Sequence, residues 1–409
     1  MRLKRKQGDS ETVVRHRRQW PRRLVSLLLA GVIFACGVGV GNGRINLDLH
    51  RTQSVATSLP DKLDYSTVNQ VYQSLKENYD GQLTEGQLVD GLKHGLAEAT
   101  KDPYTEYFTA KEAKDFNDEL NNSFSGIGAE LGEDSNGNLQ IIAPITGTPA
   151  AQAGLKAQDI IASINGSTTT GISVDDAVTK IRGPAGSKVT LQVVRSKSQA
   201  LSFTITRQNI TVPSVTTKTL DGNIGYIQIS TFADDTNDLI QKAADQFAGA
   251  HLKGIILDLR NDPGGLLDAA EHVSSLWLQK GQMILQEKRG NIVEDTAYAP
   301  DNGELHGIPT VVLINGGSAS ASEITTGALH DNHDAYVIGE KSYGKGVVQQ
   351  LINFGDGSQL KVTVASWYRP DGKNINHLGI TPDKTVKEPS TATPDNDPQL
   401  QAAEAYLNK

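Results

Sequence analysis

Three short apolar runs, Ile224 to Ile229, Gly254 to Leu259 and Thr310 to Ile314, alternate with helically spaced segments over 233 to 249, 265 to 280 and 321 to 331. Such alternation specifies an α/β core. Runs this continuously apolar should be buried on both faces of a sheet. The chain has 409 residues, too many for one ordinary core, so two or three domains are expected. Its 37% hydrophobic and 21% charged residues suit a folded globular protein, and 40 glycines imply many turns.

Upstream of the core, Phe124 to Arg207 alternates short β-branched runs with turn residues and one helix-like stretch, Val174 to Ile181, giving a compact β-rich module. Tyr65 to about Leu120 has helical spacing (Val68, Val71, Tyr72, Leu75, then Leu88, Leu92, Leu96), broken at Asp102-Pro103-Tyr104. After about Pro389 a Thr/Pro/Asp-rich linker precedes a short helix, Gln399 to Leu407.

Leu24 to Gly41 is an 18-residue run without charge, preceded by Arg15, Arg17, Arg18, Arg22 and Arg23. It is long enough to span a bilayer. The flanking cations place the N-terminus inside and the bulk of the chain outside. No clean A-x-A site follows, which favours an uncleaved anchor over a signal peptide. Cys36, the only cysteine, lies within this run and reads as an apolar membrane residue, since bulky Phe34 fits a lipidation signal poorly. A lone cysteine excludes an intramolecular disulfide and a Cys-rich metal site. Residues 1–23 hold nine of the 39 basic residues, leaving 30 basic against 45 acidic in the remainder, so no nucleic-acid partner is expected.

Asn315-Gly316-Gly317-Ser318-Ala319-Ser320-Ala321-Ser322-Glu323 joins an apolar strand to a helix. A serine there sits beside free helix N–H groups able to stabilise an oxyanion, although Ser320 and Glu323 also fit a plain capping box. Ser342-Tyr343-Gly344-Lys345-Gly346 follows, with Lys345 25 residues after Ser320. A helix over 321 to 331 travels about 16 Å away. A strand over Ala335 to Gly339 returns about 17 Å, which brings the lysine beside the serine. To act as a base near neutral pH, the amine must lose roughly 3 units of pKa, about 4 kcal/mol, within the range known for buried lysines. Asp258-Leu259-Arg260-Asn261-Asp262-Pro263-Gly264-Gly265-Leu266 puts paired glycines at another strand-helix junction. One of their N–H groups could complete an oxyanion hole with that of Ala321; the plain alternative is a turn needing positive φ. His330 and His333, at a helix end, read as solvated caps favoured by the helix dipole.

Taken in order, Leu-Arg-Asn-Asp-Pro-Gly-Gly, Gly-Ser-Ala-Ser-Ala-Ser-Glu and Tyr-Gly-Lys-Gly-Val-Val-Gln closely resemble the carboxy-terminal processing (tail-specific) proteases over about residues 62 to 409. The resemblance implies Ser320 as nucleophile, Lys345 as general base, Gln349 as its support, and Gly265 and Ala321 as oxyanion donors. It implies an α/β core of crotonase/ClpP-like type and no cofactor or metal. Asp102-Pro103-Tyr104 and Asp397-Pro398-Gln399-Leu400 also match family patterns outside the site, in a helical frame expected to support subunit pairing, with a homodimer as the family expectation.

Ser125-Gly126-Ile127-Gly128-Ala129-Glu130 resembles the carboxylate-binding loop of a PDZ domain, and Thr148 to Leu155 with Asp159 to Gly166 strengthens the likeness. Gln158 stands where these domains commonly have glycine. Gly126, Ile127, Gly128 and Ala129 are then the peptide-binding residues, selecting substrates with a free, apolar C-terminus. Arg182 matches an arginine the family uses to couple peptide binding to catalysis; the simpler reading is a helix-terminal charge.

The expected organisation is a cytoplasmic segment (1–23), transmembrane signal-anchor (24–41), stalk (42–61), helical region (62–122), PDZ domain (123–207), Ser-Lys protease core (208–388), and linker with C-terminal helix (389–409). The whole reads as an α/β multidomain, membrane-anchored, extracytoplasmic serine endopeptidase acting on protein substrates. A Ser-His hydrolase and a catalytically silent PDZ scaffold are the alternatives.

Overall fold

The computed structural model describes residues 59–134, 136–196, 199–388 and 396–409. The expected anchor with Cys36, the segment before it and most of the stalk lie outside these residues. Among the described residues no helix is long and apolar enough to cross a membrane. The chain divides into two compact units between Tyr79 and Asp80. The described part of the first contains helix Ser66–Asn78, which buries none of its residues.

In the second unit a six-stranded sheet runs in the order Val215–Leu220, Ile224–Ile229, Gly254–Asp258, Thr310–Ile314, Tyr336–Gly339, Lys384–Thr385. The first pair is antiparallel and the later pairs are parallel. Every residue of Gly254–Asp258 and Thr310–Ile314 is buried, because helices cover both faces. Alternate strand residues divide accordingly. Ile227, Ile229, Leu257, Val312 and Ile314 pack in the main core, which also holds residues of helices Thr236–Ala248, Leu267–Ser275 and Ala321–Asp331. Ile224, Tyr226, Ile256, Val311, Leu313 and Ile338 gather with Ala403 of the C-terminal helix Pro398–Leu407. Each aliphatic side chain so buried contributes about 1.5–3 kcal/mol, so the chain's last helix is part of the fold.

The helix expected over 265 to 280 ends at Ser275. Leu276, Trp277 and Leu278 remain apolar because they turn into the core, with Trp277 Nε1 donating to Thr310 Oγ1 at 2.9 Å. A second sheet was not anticipated from the sequence, although Leu360-Lys361-Val362-Thr363-Val364 alternates apolar and polar residues. Gln359–Tyr368 pairs with Glu106–Phe108, Met283–Arg289 and Val347–Asn353, and the last two of these differ in role: Met283–Arg289 carries the hairpin partner Ile292–Tyr298, while Val347–Asn353 continues the lysine loop. The region read as purely helical therefore contributes a strand as well as helices Glu85–Glu98 and Ala110–Leu120.

The β-rich module is a sheet in the order Ala129–Glu133, Leu139–Pro144, Ile160–Ile164, Lys188–Arg195, Gln199–Thr206. Ile141, Ile161, Leu191 and Val193 centre its core, and the Arg195 guanidinium grips the buried Asp159 carboxylate through two 2.7 Å contacts. Ala129–Glu133 is an edge strand flanked by helix Val174–Ile181. Ser123–Gly126 pairs with Gln208–Thr211, tying the module's entry to its exit.

Candidate active site

Ser320 stands at the start of helix Ala321–Asp331 with φ 52° and ψ −114°, a conformation L-residues adopt only when their surroundings enforce it. What enforces it is a bonded loop. Ser318 Oγ donates to Leu259 O (2.7 Å) and accepts from Asn315 N (3.0 Å). Asn315 and Asn261 are joined by reciprocal amide contacts at 2.9 Å. Ala319 N and Ser322 Oγ both donate to Asp262 O, at 3.0 and 2.9 Å. The serine junction and the Gly264-Gly265 junction are thus one bonded assembly.

Glycine is required at both positions of the second junction. A Cβ on Gly264 (φ 96°) would stand 2.6 Å from Ala319 O and 2.8 Å from Ala321 N, and one on Gly265 (φ 146°) 2.1 Å from Phe232 O. Among the described residues neither the Gly265 nor the Ala321 N–H has a hydrogen-bond partner, and both residues line the same cleft as Ser320. That cleft, of about 390 Å³, is also lined by Lys345 and Gln349, with Leu120, Ile324 and Trp367 among its apolar walls. The five residues expected to carry the chemistry therefore share one cavity, and no histidine lines it. His330 lies in the last turn of the serine helix, as expected, half-buried with its ring between Asp331 (3.0 Å) and Asp383 (3.1 Å).

Lys345 is largely buried, and its amine is pushed below the ordinary lysine range by desolvation first and by the Lys361 charge second. Glu323 and Asp102 oppose that shift. No hydrogen bond joins Lys345 Nζ to the Ser320 hydroxyl among the described residues; the amine lies 5.4 Å from the Tyr104 ring centroid. The side-chain nitrogen of Gln349 is buried without a partner, beside a β-bulge between Val348 and Gln349.

Sequence reasoning treated Glu323 only as a cap. The carboxylate is fully buried and accepts from Ser320 N (3.0 Å), Lys345 N (2.9 Å), Gly344 N (2.7 Å) and Ser342 Oγ. It joins the serine and lysine loops through their own backbones; burial raises its pKa above the ordinary carboxylate range, and the four donors oppose that shift. Trp367 was also missed; its Nε1 holds the Lys345 carbonyl at 2.9 Å. The cue for Glu323 was its place three residues after Ser320, but only the return of the lysine loop gives it this role. Asp262, fully buried, accepts from Gly264 N (2.8 Å) and is pushed up to about 8 by desolvation.

In the β-rich module Ile127 is buried in the core and Gly128 has φ 76°, with Thr148 so close that a Cβ would meet it at 2.4 Å. Their carbonyls bond to Ala150 and Ile145, whereas their N–H groups have no partner among the described residues. Gly126 and Ala129 end and begin the adjoining strands. Arg182 does not line the cleft; its guanidinium lies 5.0 Å from the Phe124 ring centroid, on the strand that enters this loop.

A serine at an enforced strand-to-helix turn, in an α/β core joined to a β-rich module with an open edge strand, has the organisation of a serine-type hydrolase with a PDZ domain. Residues 223–386 match the model for Peptidase family S41, and residues 140–195 match that for the PDZ domain. The chain is 37% identical to "Carboxy-terminal processing protease CtpA" of Bacillus subtilis (strain 168), over 84% of this chain and 72% of that protein. It is 35% identical to "Probable CtpA-like serine protease" of Staphylococcus aureus (strain bovine RF122 / ET3-1), over 91% of this chain and 74% of that one. The fold is shared with a solved structure, "Putative S41 protease from Bacteroides fragilis NCTC 9343", with a TM-score of 0.57, 16% identity, and coverage of 86% of this chain and 99% of that one. The chain belongs to peptidase family S41, as a serine peptidase of the carboxy-terminal processing kind.

Proposed function

We propose that the chain is a membrane-anchored, extracytoplasmic endopeptidase that cleaves proteins near or from their C-termini with a Ser320-Lys345 dyad. The carrying observation is the single cleft that Ser320, Lys345, Gln349, Gly265 and Ala321 line together. Neutral Lys345 takes the Ser320 proton as the hydroxyl attacks the scissile carbonyl, forming the Oγ–C bond. The Gly265 and Ala321 N–H groups receive the oxyanion, and the lysine returns the proton to the leaving amine. Gln349 supports the neutral amine without charging it. A substrate C-terminus lies along edge strand Ala129–Glu133, its carboxylate on the N–H groups of Gly126 to Ala129. Arg182 couples that occupancy to the core, and residues 24–41 anchor the chain with its catalytic part outside.

The test is digestion of a model protein whose C-terminus is free or amidated. Ser320→Ala and Lys345→Ala should each abolish cleavage, with the double variant no worse, and amidation should slow the wild type. Cleavage by Lys345→Ala overturns the dyad; equal turnover of both substrates overturns C-terminal capture. Arg182→Ala should cleave slowly while binding peptide normally. In cells, external protease should reach the catalytic part but leave residues 1–23 intact.

A further inference from the structure

The Asp102-Pro103-Tyr104 turn, expected in a frame remote from the site, lies against the lysine. Lys345 Nζ is 5.4 Å from the Tyr104 ring centroid, a distance at which a cation is attracted to the ring face. The turn is sewn to the strand that supports the lysine loop: Glu106 pairs with Lys361 across the strands, and Thr363 N donates to Thr105 Oγ1 at 3.2 Å. That same strand, Gln359–Tyr368, carries Trp367, which holds the Lys345 carbonyl. The Asp102 carboxylate is fixed by Tyr104 N (3.1 Å) and Thr105 Oγ1 (2.7 Å). Four groups act on the amine. Glu323 and Asp102 supply negative charge, Tyr104 supplies a ring, and Lys361 supplies positive charge from the sheet. Lys361 is itself steadied by Glu106 at 3.0 Å and lies over the Phe108 and Phe116 rings.

We propose that Asp102 and Tyr104 are positioning residues of the catalytic site: the ring face and the fixed carboxylate hold Lys345 Nζ in the resting cleft as a cation, and Lys361 pushes the other way. The Glu106–Phe108 strand pairing makes this an intrinsic part of the site. Activation then means drawing the amine from the turn toward Ser320, and the two opposed charges set how much that transfer costs. The proposal rests on Lys345 being the base.

The experiment is the pH profile of kcat/KM on one peptide substrate, with each variant's fold checked by circular dichroism. Asp102→Asn keeps an oxygen for Tyr104 N and turns an NH2 toward Thr105 Oγ1, whose hydroxyl can accept it, but removes the negative charge, so the acid limb should move down by about one pH unit. Lys361→Met removes the opposing charge and should move the limb up. A second readout is the rate at which an amine-reactive reagent labels Lys345, measured by peptide mass at fixed pH. Labelling should be several-fold faster in Asp102→Asn and slower in Lys361→Met. Were Lys345→Ala still to cleave, the base assignment itself would fall. Were Lys345→Ala inactive while both other variants kept the wild-type limb and labelling rate, the base would stand and the role of the turn would be overturned.

Discussion

Glu323 places two loops with one carboxylate, so what it does is measurable apart from what Ser320 does. Glu323→Gln leaves one amide oxygen and sets an NH2 group against N–H donors that the carboxylate now accepts. Ser320 and Lys345 should both shift, and misplacement on the ångström scale costs about 10²-fold in rate. Peptide steady-state kinetics should show that loss in kcat with KM nearly unchanged, since the loop Gly126 to Ala129 proposed to hold the substrate C-terminus does not line the cleft; a raised KM with kcat unchanged would contradict it. Gln158 is a quieter case. It has φ 67°, with its N–H bonded to Ile141 O at 2.8 Å, so the turn needs the left-handed conformation that glycine adopts freely. Gln158→Gly should raise stability by about 0.5–1 kcal/mol, the relief of strain being partly offset by a more flexible unfolded chain. Urea denaturation of the full chain measures it.

The two strand-to-helix junctions suit the proposed chemistry because they leave the Ala321 and Gly265 N–H groups unpaired among the described residues, the second supplied by the loop Asn261 to Gly265. Asp262 fastens that loop from below, with one oxygen on Gly264 N and the other buried without a partner. Its folded pKa is raised from 3.8 to about 8 by desolvation, so the folded state binds the extra proton more tightly than the unfolded chain. The stabilisation linked to that proton is complete below about pH 3.8 and is lost as pH rises through about 8. Melting temperature should therefore fall less steeply with pH in Asp262→Asn than in wild type; parallel curves would show that Asp262 does not titrate in this window. The core strands and the serine helix were legible in the sequence because their burial is complete and periodic: Ile224–Ile229, Thr310–Ile314 and Ala321–Asp331 fall where the apolar spacing put them. The cleft residues could be named because three short motifs occur in one order, each at the end of an apolar strand or in a glycine-flanked loop, and together resemble one protease family. The second sheet was missed although Leu360-Lys361-Val362-Thr363-Val364 alternates apolar and polar residues, because Gln359–Tyr368 is only partly buried along most of its length and its partners Glu106–Phe108 and Met283–Arg289 carry no matching pattern. The place of Asp102 and Tyr104 was hidden for a related reason: a strand of three residues, Glu106–Phe108, has too few positions to display a period, yet its pairing brings the turn to the lysine.

Over the whole molecule, the C-terminal helix is bolted to the root of the loop that carries Gly264 and Gly265. Arg260 follows strand Gly254–Asp258 and precedes the Asn261 to Gly265 loop. Its guanidinium binds Asp258 through Nε (2.9 Å to Oδ1) and Nη2 (2.6 Å to Oδ2), and Asp397 through Nη1 (3.0 Å) and Nη2 (2.8 Å). Asp397 in turn caps helix Pro398–Leu407 by accepting from Gln399 N (3.0 Å) and Leu400 N (2.9 Å). One planar cation thus fixes a strand end, a helix start and the loop between strand and site. Its worth lies in what its removal strands: Asp258 is 1% and Asp397 17% exposed, so Arg260→Met leaves two carboxylates with little water and no counter-charge. Breaking such a buried pair costs about 3–5 kcal/mol. Arg260→Lys should recover only part of the loss, because a point charge cannot bridge both carboxylates in the fork geometry of guanidinium. Denaturant unfolding followed by tryptophan fluorescence should show both losses in that order. Turnover should fall with stability, since the loop bearing Gly265 loses its anchor. An Arg260→Met protein within about 1 kcal/mol of wild type would place it with exposed surface pairs and would mean that the C-terminal helix docks by apolar contact alone.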